Sequence, residues 1–342
     1  MKTALVLHNG KEHFYRLIQS LVNALQLQVH AISSSEFVYQ QEGNYDLVFI
    51  AACMDLDELA LSKIKYKHLF LFDCEDDPRH FNPGSAYENF KDKASAYVKY
   101  TWVDNHNRPD KLKNIGFPPA NFWELNKIAK QADIHRTYML WSKQMPVGYF
   151  SPTFIGSYLG NANDLNQPKR QGVNPIGVWE DGMPMFNQRI AWLESLCQAE
   201  IKYDGGLVFG QAGTNMSKEW QTKYFGEKII EFEKPRISYW EYIRAVMYAG
   251  IGLNPTGHAR ISYRTFDLMA TGCIMINTDF GEEKTFLMPK EGITVKDDEQ
   301  LSDILIKNDL TSYKSVYLSS KNTECFLNKT PEILYNDFIK QI

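Results

Sequence analysis

The run from Ala249 to Asn277 constrains the fold of this chain more than any other stretch. A short apolar segment, Ala249 to Leu253, leads into the turn Asn254-Pro255-Thr256-Gly257. From about Ser262 the spacing predicts a helix, and Gly272 is placed to end it as the residue beyond the last turn. Cys273 to Ile276 is then a continuous apolar run, the pattern of a strand buried on both faces. Strand, loop, helix and strand with short connections describe a βαβ unit in a parallel sheet.

The loop before that helix would aim backbone N–H groups and a positive dipole end at whatever lies beside Thr256, Gly257 and His258. Arg260 and Arg264 are four residues apart, one turn if both are helical, so two guanidinium groups could meet one anion. Asp267, a further turn on, offers a carboxylate to a vicinal diol such as a ribose. Together these groups suit a nucleoside diphosphate held without a metal. The alternative reading of the same residues is a solvated helix with an Arg264–Asp267 ion pair, worth roughly a few tenths of a kcal/mol.

The N-terminal half repeats the strand-and-helix alternation. Strands are expected at Thr3 to Leu7, Gln28 to Ile32, Tyr45 to Ile50, His68 to Phe72 and Ala96 to Val103, with a helix from about Glu12 to Leu25. That order predicts a doubly wound parallel sheet, whose ligands bind beyond the carboxyl ends of the strands. His8-Asn9-Gly10, Cys53-Met54-Asp55 and Asp73 to Arg79 would share that rim. No G-x-G-x-x-G follows the first strand, which argues against a dinucleotide-dependent dehydrogenase.

The acidic cluster Asp73-Cys74-Glu75-Asp76-Asp77 admits three readings. Glu75 or Asp76 could be a general base that takes a proton from an acceptor hydroxyl. The cluster could hold a hard divalent cation, or it could be a solvated loop capping a helix before Pro78. His8, Asp55 and His80 are further base candidates.

A length of 342 residues accommodates two domains with sizeable cores. A formal net charge of −4 argues against a dedicated nucleic-acid binder. The 5 cysteines are odd in number and widely spaced, without zinc-ligand spacing, so no disulfide framework is expected. No run of apolar residues is long enough for a transmembrane helix, and Met1 to Leu7 is too brief for a signal peptide, so a cytoplasmic protein is expected.

Asp267-Leu268-Met269-Ala270-Thr271-Gly272-Cys273-Ile274 resembles the E-A-x-A-x-G-x-P/I segment in the C-terminal domain of GT-B glycosyltransferases. With Ser262-Tyr263-Arg264-Thr265-Phe266 before it, the stretch is especially similar to exostosin-like and group 1 members. The resemblance implies two facing Rossmann-like domains: residues 1–150 for the acceptor, 151–325 for a nucleotide-sugar donor, and a final helix, 326–342, returning to the first domain. It implies that Asp267 holds the donor ribose and that Arg260 and Arg264 hold the pyrophosphate, with Thr256, Gly257, His258 and Tyr263 around them. Arg236 and Ile237 fall in the loop that touches the nucleobase in such families. From the residues alone they also read as the lead-in to a helix capped by Ser238 and Glu241.

The implied activity is transfer of a sugar from a nucleotide-sugar to a glycan or lipid-linked acceptor, with no cofactor and no metal. A lipid-linked acceptor would be compatible with attachment to a membrane surface. Retaining group 1 enzymes carry an E-x7-E pair, whose first position here is Ala259, so inversion is the expected outcome. The competing functions are a sugar-nucleotide epimerase of the same fold and a non-catalytic nucleotide- or glycan-binding protein.

Overall fold

The structure is a computed structural model. It describes residues 1–8, 25–33, 35–73, 84–99, 101–103, 114–116, 130, 183–200, 251–255, 260–271, 274–285, 288, 292–296 and 300–307. The expected helix before Leu25, the boundary near residue 150, the elements expected over 201–250 and the final helix fall outside these residues, save Leu25 itself.

Six parallel strands form the first sheet. In chain order they are β1 (Thr3–Leu7), β2 (Gln28–Ile32), β3 (Gly43–Ala51), β4 (Ile64–Asp73), β5 (Ala96–Lys99) and β7 (Asn114–Gly116), and they lie side by side as β2-β1-β3-β4-β5-β7. Strand order reverses between β1 and β3, which makes the crevice beyond their carboxyl ends the switch point of the sheet. Leu47 to Ala51 and Leu69 to Phe72 are buried, as central strands covered on both faces require. Phe49 and Phe70, register partners, stack with ring centroids 5.1 Å apart. The short helix α1 (Ser35–Val38) precedes β3, and α2 (Ser85–Phe90) lies between β4 and β5. Tyr87 of α2 meets Tyr97 of β5 edge-on at 5.8 Å. Gly84, just before α2, permits a close approach: a Cβ there would stand 2.6 Å from the Ala52 carbonyl oxygen and 2.7 Å from Cys53 Cα.

The stretch Ala96 to Val103 is not one strand. β5 ends at Lys99, and Trp102–Val103 form a separate strand, β6, that leaves the sheet to pair elsewhere. The Asn- and Pro-rich region after it contributes β7, a three-residue edge strand alongside Tyr97 to Lys99. Its Asn-Ile-Gly sequence carries no alternation that would mark it.

A second parallel sheet has the order β11-β9-β8, from β8 (Ile251–Asn254), β9 (Ile274–Thr278) and β11 (Ile293–Val295). Helix α4 (Tyr263–Thr271) connects β8 to β9, completing the expected βαβ unit. Helix α3 (Met183–Gln198) buries Trp192, Leu193 and Leu196 and joins α5 (Leu301–Lys307) through buried serines. Ser302 N–H donates to Ser195 Oγ at 2.8 Å, and Ser195 Oγ donates to Ser302 Oγ at 2.9 Å. A separate antiparallel ribbon joins β6 to β10 (Glu283–Lys284), pairing Glu283 with Val103 and Lys284 with Trp102. The folded chain is thus mixed α/β with parallel sheets. Among the described residues no helix is long and apolar enough to cross a membrane.

Candidate functional site

At the carboxyl ends of β8 and β9 the second sheet changes from apolar to polar. Asn254 and Asn277 are register partners, both buried. Asn254 Nδ2 donates to Asn277 Oδ1 at 3.0 Å and to Thr265 Oγ1 at 3.2 Å. Thr265 Oγ1 also accepts the Ser262 N–H at 3.1 Å. That last bond is half of a capping box, the N3 side chain reaching back to the N-cap, and it explains why α4 begins at Tyr263. Asn254 Oδ1 is buried without a hydrogen-bond partner.

Arg260 precedes the helix, so it is not stacked one turn below Arg264 as the spacing suggests. It is fixed from two directions by the turn after β9. Glu283, itself buried, accepts the Arg260 N–H with both carboxylate oxygens, at 2.8 and 2.9 Å, and the Ile261 N–H at 2.9 Å. The Arg260 guanidinium donates through Nη1 to the carbonyl of Asp279. Gly281, at φ +57, lies beside it, and Asp279 Oδ1 accepts the Gly281 N–H at 3.0 Å to close the turn. The guanidinium therefore rests on a neutral acceptor, and among the described residues no carboxylate pairs with it. Held this way, it keeps its charge for an anion while its side chain is already ordered.

Arg264 stands in the first turn of α4, half-buried, and Asp267 lies one turn further on at 4% exposure. Thr265 to Thr271 are all buried, so this part of the helix is not solvated. Thr271 Oγ1 donates to the Asp267 carbonyl at 2.9 Å within the helix. The helix start directs the positive end of its dipole toward the Arg264 end. Tyr263 opens the helix. Thr256, Gly257, His258, Arg236 and Ile237 lie outside the described residues, as do Glu75 and Asp76.

At the rim of the first sheet, Asp73 and Lys99 are adjacent strand-end residues, 2% and 1% exposed, joined by an ion pair of 2.8 Å. This takes Asp73 out of the solvated acidic loop envisaged for it. Asp55 accepts a 2.6 Å hydrogen bond from Ser85 Oγ, and Ser85 Oγ in turn accepts the Leu56 N–H. His8 follows β1 at the switch point, half-buried, with its N–H donating to the Ile32 carbonyl at 2.9 Å. Burial holds its imidazole below the ordinary value of 6.5, so it is neutral at pH 7 and able to accept a proton.

The partners of Glu283, Asn254, Asn277 and Lys99 escape sequence reasoning, because strand register or a turn supplies each of them. The Ser262-x-x-Thr265 spacing is the one local signal that places Arg260 outside the helix.

No family model matches the chain, and no curated protein does. Solved structures do. Anabaena HepE in complex with UDP superposes with a TM-score of 0.54 at 12% identity, covering 100% of both chains. An alpha-glucosyltransferase bound to UDP and a mismatched DNA gives 0.59 at 10% identity, covering 99% of each. The UDP-forming trehalose-phosphate synthase of Burkholderia xenovorans gives 0.53 at 8% identity, over 99% of this chain and 98% of that one. In fold, this chain resembles GT-B glycosyltransferases. At these identities the likeness is one of architecture, and function rests on the residues.

Proposed function

We propose that the protein is a glycosyltransferase that takes a sugar from a nucleotide-sugar and passes it to a hydroxyl of a glycan or lipid-linked acceptor. The observation that carries this is the Arg260 guanidinium, ordered on the Asp279 carbonyl just before the start of α4, with no carboxylate partner among the described residues. In this reading Arg260, Arg264 and the helix start stabilise negative charge on the leaving diphosphate, and no metal is required. Asp267 accepts the ribose hydroxyls. Thr256, Gly257, His258 and Tyr263 surround the phosphates, and Arg236 and Ile237 meet the nucleobase. The structural likeness to HepE and the alpha-glucosyltransferase, both described with UDP bound, supports a nucleotide-sugar donor.

The acceptor lies at the switch point of the first sheet, and its hydroxyl gives its proton to a carboxylate of Glu75 or Asp76, or to the neutral imidazole of His8. Attack on the anomeric carbon from the face opposite the diphosphate inverts its configuration. The experiment is to incubate the protein with UDP-, GDP- and ADP-sugars, with and without glycan acceptors, and to follow release of the nucleoside diphosphate. Release that depends on acceptor is the expected result. Conversion of the sugar without acceptor would identify an epimerase instead, and binding without turnover would identify a non-catalytic receptor.

A further inference from the structure

We propose that Glu283 is a positioning residue for the diphosphate site, and that through it the pairing of β10 with β6 sets how tightly a diphosphate is held. This rests on the donor-site reading above. β10 takes part in two contacts at once. Its main chain pairs with Trp102 and Val103, and its Lys284 carbonyl accepts a 3.2 Å hydrogen bond from the fully buried hydroxyl of Thr101. Its Glu283 carboxylate accepts three bonds from the N–H groups of Arg260 and Ile261.

Bonds from an ionised carboxylate to backbone N–H groups are among the stronger hydrogen bonds in proteins, and three of them fix the direction in which Arg260 leaves the main chain. The guanidinium at the far end is pinned by Asp279, four residues before Glu283 in the same turn. One short segment therefore grips Arg260 at both its backbone and its tip, and the same segment is anchored to β6, the strand between β5 and β7 in the chain. A ligand at Arg260 meets an arginine whose ordering entropy is already lost, as long as β10 stays paired. The Glu283 carboxylate is bonded to the backbone N–H groups of Arg260 and Ile261, and among the described residues no carboxylate pairs with the guanidinium.

The test uses the full chain, the best bound of UDP, GDP and ADP, and the parent nucleoside of that nucleotide, with affinities measured by calorimetry or ligand-observed NMR. Glu283→Gln swaps one acceptor oxygen for an amide that cannot accept. It should weaken diphosphate binding about tenfold and leave nucleoside binding unchanged. Thr101→Val, on the other side of the ribbon, should weaken diphosphate binding about threefold, again without moving the nucleoside. The ratio of the two affinities is a readout that a general loss of structure would not change selectively. A wild-type ratio in both variants, or equal loss of nucleotide and nucleoside, overturns this proposal alone. Wild-type protein that binds none of the three diphosphates overturns the donor-site reading and this proposal with it. Should Glu283→Gln fail to fold, Thr101→Val decides the matter.

Discussion

Lys99 Nζ meets Asp73 Oδ2 at 2.8 Å where the last residues of β5 and β4 stand side by side, both almost wholly removed from water. A charge pair in such a place is costly to break and less costly to replace. Lys99→Met leaves the Asp73 carboxylate buried without its ammonium, and should destabilise the protein by about 3–5 kcal/mol. Adding Asp73→Leu should recover most of that loss, because two apolar residues replace two buried charges. Urea denaturation of the wild type, the single and the double variant checks both statements.

Gly84 is a second point where the first sheet has no slack. A methyl group there would meet the Ala52 carbonyl oxygen at 2.6 Å and Cys53 Cα at 2.7 Å, main-chain atoms that cannot rotate away. Gly84→Ala should therefore cost about 1–3 kcal/mol, in the range of overpacked sites. The denaturation midpoint reports it.

Two groups predict opposite ends of the pH dependence. A hydrogen bond from Lys67, helped by the Thr3 N–H, holds Asp46 down at about 2 from its ordinary 3.8. The folded value is the lower one, so the stability from this carboxylate is complete above about pH 4 and is lost as pH falls toward 2. Asp46→Asn should flatten the stability curve in that window. His8, lowered from 6.5 by burial, gives stability that is complete above 6.5 and declines as pH drops below it. His8→Gln should remove that decline and leave the acid limb of Asp46 in place.

Much of this fold is legible in the sequence where burial sets the pattern. Thr3 to Leu7 and Gln28 to Ile32 are strands at the residues expected of them. The βαβ unit around α4 follows from its apolar runs and its Ser262 start. β3 and β4 extend further toward their amino ends than the apolar pattern indicates, because Gly43 to Tyr45 and Ile64 to Tyr66 pair by main-chain hydrogen bonds with half their side chains in water. The site was legible in residue type and less so in geometry. Arg264 and Asp267 belong to the helix as expected, but Arg260 is organised by Glu283 and Asp279, residues brought to it by the turn after β9. Likewise Asp73 reads as one acid of a polar cluster until register sets Lys99 beside it.

The central claim is that the start of α4 holds a nucleoside diphosphate. Isothermal titration of the wild type and of Arg264→Ala with UDP, GDP and ADP tests it most directly. One of these nucleotides should bind the wild type, and Arg264→Ala should lose at least about tenfold in affinity, the scale of a charge-assisted hydrogen bond, with an unchanged circular dichroism spectrum. Equal affinity in the two proteins, or no binding of any of the three to the wild type, would contradict the account.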